Sequence, residues 1–334
     1  MKQTSIFILL ILTCNLTLFG QRFSELKNYN HHSVIIENDT INYHTYAKQK
    51  IDSINTILLY IQGSSAQSLY QIKKENGGVS IGTSVAFDFA TIPKDYVFVV
   101  ISRKGFPFST EMDEPFPIPK SYFEHQTIDY RVKQADLVIN DLYKKLGKQI
   151  DKVIALGHSE GSDVVAKLGT VNEKITHFGY WSGGGNTQFI DFITFIRKDV
   201  DKGNLTEEQA KVKIDSLFND FRAIMADPNA TDKFWEGDDN SYKRWSHFSE
   251  PPIKNLLQID KPLFVAIGTK DQAVSVESAY LIPVEFIRHK KTNLTFIAYP
   301  NLDHGFEKEL ENGEFKDYWN DVFQDFLNWI NETK

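Results

Sequence analysis

The segment Gly157-His158-Ser159-Glu160-Gly161 sets one serine between two glycines, with an apolar run before it and a helix-forming run, Ser162 to Leu168, after it. Glycines at those positions permit a strand-to-helix turn so tight that side chains there would strike neighbouring backbone, and the turn holds the serine hydroxyl clear of the sheet. A hydroxyl is a weak nucleophile at neutral pH and needs an imidazole to take its proton and a carboxylate to hold the imidazole. Two later segments, each after an apolar run, supply those partners in the order Ser, Asp, His. Gly268-Thr269-Lys270-Asp271-Gln272-Ala273-Val274 offers Asp271, and Pro300-Asn301-Leu302-Asp303-His304-Gly305-Phe306 offers His304. Asp303 competes with Asp271 for the acid position, but adjacent side chains in a turn rarely face each other. His125, His247 and His289 lie outside any strand end that faces Ser159. With one cysteine, Cys14, and no His-Glu-x-x-His string, a thiolate or zincin-type metal centre is excluded. No metal and no organic cofactor is implied; the chemistry falls to hydroxyls, carboxylates and imidazoles.

Elements of strand length must carry these residues. Thr56 to Ile61, Tyr96 to Ile101, Lys152 to Leu156, Ile175 to Tyr180, Leu263 to Ile267 and Leu294 to Tyr299 are largely apolar without polar alternation. Such strands are covered on both faces, as in a parallel sheet. Helical spacing runs over Ile128 to Leu146 and over Tyr318 to Ile330, where Trp319, Val322, Phe323, Phe326, Leu327 and Ile330 make one apolar stripe. Val34 to Glu37 and Ile41 to Tyr46 flank Asn38-Asp39-Thr40 and read as a hairpin. Strand, helix, strand in this rhythm predicts an α/β fold, a doubly wound and mostly parallel sheet. Residues 186–258 break the rhythm with helical patterns at Phe189 to Val200 and Glu207 to Met225 and no evident strand, so they read as a helical insertion over the C-terminal edge of the sheet. Trp181-Ser182-Gly183-Gly184-Gly185 leads into it, either as a mobile lid connection or as plain turn chemistry.

The chain has 334 residues, 41% hydrophobic and 24% charged, an ordinary globular composition. Its 37 basic against 44 acidic residues argue against a nucleic-acid or anionic-membrane binder, which needs a basic face. Residues 1–20 open with a lysine, continue into Ile6 to Leu12 and Leu16 to Phe19, and end at Gly20-Gln21: the pattern of a signal peptide cleaved near Gly20. Thr13, Cys14, Asn15 and Thr17 interrupt the apolar run, against a stable membrane span. A lipoprotein acylated on Cys14 is the rival reading. The expected organisation is a signal peptide at 1–20, a core domain at 21–185 and 259–334, and the insertion at 186–258.

With the motifs Gly-His-Ser-Glu-Gly, Gly-Thr-Lys-Asp and Asp-His-Gly-Phe in this order, the chain resembles the α/β-hydrolase-fold serine hydrolases, esterases and serine aminopeptidases among them, from about Ile35 to the C-terminus except the insertion. The resemblance implies an acyl-enzyme on Ser159, with His304 as general base and Asp271 as orienting acid. It also implies an oxyanion hole from the backbone N–H of Glu160 and one from the loop Gln62-Gly63-Ser64-Ser65, with Ser64 as second donor and Ser65 as the alternative; many relatives carry His-Gly where this chain has Gln62-Gly63. The Glu160 side chain reads as a helix-dipole carboxylate or as a site for a substrate amine. The insertion resembles the caps of such enzymes, and Trp235, Glu236 and Trp245 are its candidate substrate-binding residues, the rings alternatively packing the cap itself. The expected partner is a small-molecule ester or a short peptide, with export to the periplasm or medium. An ester hydrolase leads, a serine-aminopeptidase-like peptidase follows, and a catalytically inactive binding protein on the same fold is the alternative of another class.

Overall fold

The computed structural model describes residues 26–75, 78–114 and 116–333; the expected signal segment and Cys14 lie outside them. Eight strands form one sheet: β1 (Asn30–Ile36), β2 (Asp39–Ala47), β3 (Thr56–Ile61), β4 (Tyr96–Ile101), β5 (Lys152–His158), β6 (His177–Trp181), β7 (Leu263–Gly268) and β8 (Leu294–Tyr299). Their spatial order is β1-β2-β4-β3-β5-β6-β7-β8. β2 runs antiparallel to both neighbours, and from β4 to β8 every pairing is parallel. Every position of β3, β4 and β7 is buried, because helices cover both faces. Side chains alternate between the two cores: Ile57, Leu59, Val97, Val99, Val153 and Ala155 enter one, while Leu58, Tyr60, Phe98, Val100, Ile154 and Leu156 enter the other.

The helices are α1 (Ile128–Leu146), α2 (Glu160–Leu168), α3 (Gln188–Asp201), α4 (Glu207–Ala226), α5 (Tyr242–His247), α6 (Val276–Arg288) and α7 (Trp319–Glu332), with short turns at Lys120–Glu124 and Ile253–Leu256. α1 begins where the Thr127 hydroxyl accepts from the Tyr130 N–H and ends at Gly147, φ 73°. Its Val132, Ala135, Val138, Ile139 and Leu142 join α2 and α6 on the first core. The apolar stripe of α7 packs on the second. The long segment between β6 and β7 folds as α3, α4 and α5 with a single β-bridge, Phe234 to Ser241.

Two features differ from expectation, and a third bears on a choice the sequence left open. The β1–β2 pairing brings Ile36 opposite Asp39, so the hairpin turns at Glu37-Asn38, with Glu37 at φ 54°, rather than at Asn38-Asp39-Thr40. A three-stranded side sheet of Tyr70–Glu75, Gly78–Thr83 and Ser109–Glu111 was not anticipated. Its strands are short and polar, although the Asn76-Gly77 dipeptide between two of them is a hairpin signal. The glycines after Trp181 are packed: a Cβ on Gly183 would stand 2.2 Å from Ser162 Oγ, and one on Gly184 2.4 Å from Ser278 Oγ. That crowding fits a compact turn better than a loose hinge.

Candidate active site

Parallel pairing brings the C-terminal ends of β3, β5, β7 and β8 to one edge of the sheet, where open α/β sheets place their sites. Ser159 stands there between β5 and α2 at φ 58° and ψ −129°, a conformation costly for a residue with a side chain. The flanking glycines explain how it is held. A Cβ on Gly157 would lie 2.1 Å from the Gly161 carbonyl oxygen, and one on Gly161 2.0 Å from that of Ile61. The Ser159 N–H donates to the Trp181 carbonyl at 2.9 Å, and the Ser162 N–H and hydroxyl both donate to the Ser159 carbonyl, at 2.9 and 2.6 Å.

His304 and Asp271, expected from separate strand ends, meet: the imidazole Nδ1 is 2.8 Å from Asp271 Oδ2. The Asp271 side chain is fully buried, and its Oδ1 accepts from the N–H groups of Ala273 and Val274, both at 2.8 Å. Burial disfavours charge on His304, but the negative charge and hydrogen bond of Asp271, aided by Asp303, outweigh it and raise the imidazole pKa above 6.5. Asp303 instead ties its own turn, its Oδ1 accepting from the N–H of Gly305 and Glu307. Two residues that sequence reasoning missed fix the His304 backbone: His158 Nε2 donates to its carbonyl at 2.8 Å and the Ser182 hydroxyl at 2.9 Å. Burial, then the charge of His304, push the His158 pKa down to about 3, so it serves as a neutral donor. The signal was present, since His158 precedes the serine, but nothing in a linear sequence links it to position 304.

The loop after β3 lies against the serine: a Cβ on Gly63 would stand 3.1 Å from Ser159 Cβ and 3.5 Å from its Oγ. Gln62 is buried and donates from its amide to the Ile101 carbonyl at 3.1 Å. The Ser64 carbonyl accepts from the Tyr122 hydroxyl at 3.0 Å.

The Glu160 side chain is almost wholly buried among three arginines. Its Oε1 accepts from Arg103 Nη2 at 3.0 Å and Arg131 Nη1 at 2.7 Å, and its Oε2 from Arg244 Nε at 2.8 Å. Burial alone would raise its pKa, but Arg103, Arg244 and Arg131 hold it well below the usual carboxylate range. With both oxygens occupied, the carboxylate has no free face for a substrate amine. Arg131 in turn falls to about 9 through burial and the neighbouring Arg103. None of the three arginines was anticipated, because they come from the ends of β4, from α1 and from α5.

In the insertion, Trp235 and Trp245 stack edge to face with ring centroids 4.8 Å apart, and Phe189, Phe192 and Phe221 surround Trp235. The Trp245 indole N–H donates to the Trp235 carbonyl at 2.8 Å. These rings thus pack on one another within the insertion, Trp245 buried and the others half-buried, while Glu236 is exposed at φ 55°. Among the described residues no cluster of three or more His, Cys, Asp or Glu side chains is arranged to hold a metal ion, and no helix is long and apolar enough to cross a membrane.

Residues 230–334 match the model of the dienelactone hydrolase family. Comparison with curated proteins gives no match. Among solved structures, the chain is similar to the ferulic-acid complex of Est1E from Butyrivibrio proteoclasticus, at 12% identity and TM-score 0.53 over 90% of this chain and 98% of that one. A protein provisionally described as a dienelactone hydrolase from Klebsiella pneumoniae gives 12% and 0.52 over 90% and 97%. A protein provisionally described as a dipeptidyl aminopeptidase IV from Bacteroides ovatus gives 11% and 0.54 over 92% of this chain but only 36% of its own length, so the chain spans little more than a third of that peptidase. The strand order, the parallel sheet with its flanking helices and these likenesses agree: the chain has the α/β-hydrolase fold.

Proposed function

We propose that the chain is an exported serine hydrolase that cleaves carboxylic esters. Ser159 Oγ attacks the ester carbonyl while His304 takes its proton, and the tetrahedral oxyanion is held by the N–H groups of Glu160 and Ser64. Collapse expels the alcohol, which receives the proton from His304; water then attacks the acyl-enzyme by the same route and releases the acid. Asp271 keeps the His304 proton on Nδ1, leaving Nε2 as the base, and stabilises the imidazolium. The observation that carries this reading is the 2.8 Å Asp271–His304 pair at the sheet edge that also carries the strained Ser159.

Export rests on the composition of residues 1–20, with acylation of Cys14 as its alternative. The insertion, tied through Arg244 to the residue after the serine, is assigned as a cap. Esters are favoured over aminoacyl amides because the Glu160 carboxylate is already taken by arginines. The ferulic acid bound to Est1E suggests aryl acids as the first acyl groups to try.

The test is a panel of short-chain and aryl esters beside aminoacyl anilides, run with a fluorophosphonate probe on wild type and Ser159→Ala. Ester turnover with probe labelling lost in the variant is expected. Turnover of anilides alone favours the peptidase, and an unlabelled wild type an inactive binding protein.

A further inference from the structure

We propose that Arg103 is a positioning residue that fixes the two oxyanion donors relative to each other, with Arg131 supporting it. The inference rests on the hydrolase reading above and assigns work to a buried charge cluster that this reading leaves unused.

A peptide unit is planar, and in the trans form its N–H points opposite to its C=O. Whatever grips the carbonyl of one residue therefore aims the N–H of the next. The Gly63–Ser64 peptide is trans, and Arg103 Nη2 donates to the Gly63 carbonyl, which sets the direction of the Ser64 N–H. The same nitrogen donates to Glu160 Oε1 at 3.0 Å, and Glu160 carries the other oxyanion donor on its own backbone. One guanidinium thus joins the side chain of the first donor residue to the peptide plane of the second. Arg131 repeats the arrangement one peptide earlier, with Nη2 on the Gln62 carbonyl at 2.6 Å and Nη1 on Glu160 Oε1 at 2.7 Å.

Burial makes the device stiff. Both arginine side chains are 6% exposed and the Glu160 side chain 2%, so little water competes for these charge-assisted bonds. A lysine ammonium also carries more than one donor, but its N–H groups rotate on a flexible stem, whereas the guanidinium plane fixes the two N–H directions of Nη2, so a lysine holds the bridge more loosely. Two N–H groups aimed in advance at a developing oxyanion stabilise the transition state and not the bound ester.

The experiment compares Arg103→Lys with wild type on an aryl ester, with Arg131→Lys as the second variant and thermal unfolding as the control for folding. For Arg103→Lys the expected result is a kcat lower by on the order of 10²-fold with KM within about threefold. Affinity for an arylboronate, which forms a tetrahedral adduct on the serine, should fall in parallel, while affinity for the product acid stays unchanged. Arg131→Lys should show the same split, more weakly. A folded Arg103→Lys with wild-type kcat overturns the proposal, as does a loss confined to KM or an equal weakening of boronate and product acid. Failure of both variants to fold makes the arginines structural and overturns it as well. Ser159→Ala separates the two claims: if it is inactive while Arg103→Lys is fully active, only the positioning role falls, and if it retains activity, both fall.

Discussion

In the proposed reaction only a neutral His304 imidazole could take the Ser159 proton, and the charge of Asp271 makes that imidazole harder to deprotonate than an isolated histidine. Activity governed by such a base is lost as pH falls through its pKa, so the acidic limb of kcat/KM is expected above 6.5. Asp271→Asn should move that limb downward and lower kcat by about 10⁴-fold, measured in a pH series of initial rates. Asp163 also holds its proton more strongly than usual, but through burial. Burial drives its carboxyl up to about 7, and the Tyr180 hydroxyl 3.0 Å away has a nearer acceptor in the Gly184 carbonyl, at 2.7 Å. An acid whose folded pKa exceeds its unfolded one costs stability as pH rises from the unfolded value, near 3.8, through the folded one, near 7. Asp163→Asn should therefore raise the melting temperature at pH 8, by on the order of 5 °C, and change little at pH 4.

Between elements the decisive contacts are backbone against backbone. The β5–α2 turn leaves no room at Gly161, where an added methyl would sit 2.0 Å from the Ile61 carbonyl oxygen. Gly161→Ala should cost more than about 3 kcal/mol in urea unfolding, because a strand end must move. Gly63→Ala is tight only against the side chain of Ser159, at 3.1 Å, and meets the His158 carbonyl oxygen at an ordinary 3.7 Å. It should displace the hydroxyl by a few tenths of an ångström and lower kcat about tenfold, with stability changed by less than about 1 kcal/mol. The insertion is secured differently, by the Arg244 bonds to Glu160 and Gln188. Arg244→Ala leaves Glu160 Oε1 with Arg103 and Arg131 but removes the Arg244 donor from the buried Oε2, so a loss of about 1–3 kcal/mol is expected, with faster proteolysis between α3 and α5 as the check.

Across the whole molecule, stability depends on a sheet buried from both sides. α1, α2 and α6 close one face, and α7 with the side sheet closes the other. Phe326 on α7 is fully buried against Trp181, Phe264 and Trp329. Phe326→Ala should cost about 3–5 kcal/mol, read as a lower urea midpoint, and Trp181 ties that loss to the edge that carries Ser159 because its carbonyl holds the Ser159 N–H.

The amino-acid order alone determined what depends on local pattern. The unbroken apolar runs announced the parallel strands, so β3, β4 and the edge strand β8 begin and end where the sequence places them, as α1 does. The glycine spacing announced the turn that carries Ser159, because steric demand at such a turn is local. Only the tertiary structure decided which charges meet. Glu160 reads as a helix-start carboxylate in one dimension, yet arginines from three distant segments enclose it, and His158 donates to a carbonyl 146 positions away. The side sheet escaped notice because its short strands set a few buried residues, Tyr70 and Ile81 among them, between polar ones and leave no continuous apolar run. The tryptophans of the insertion left two readings open in the sequence, a substrate wall or packing of the cap, and the ring contacts within the insertion favour packing. Periodicity records burial along one element, whereas an ion pair or a ring contact between elements leaves no periodic mark on either partner.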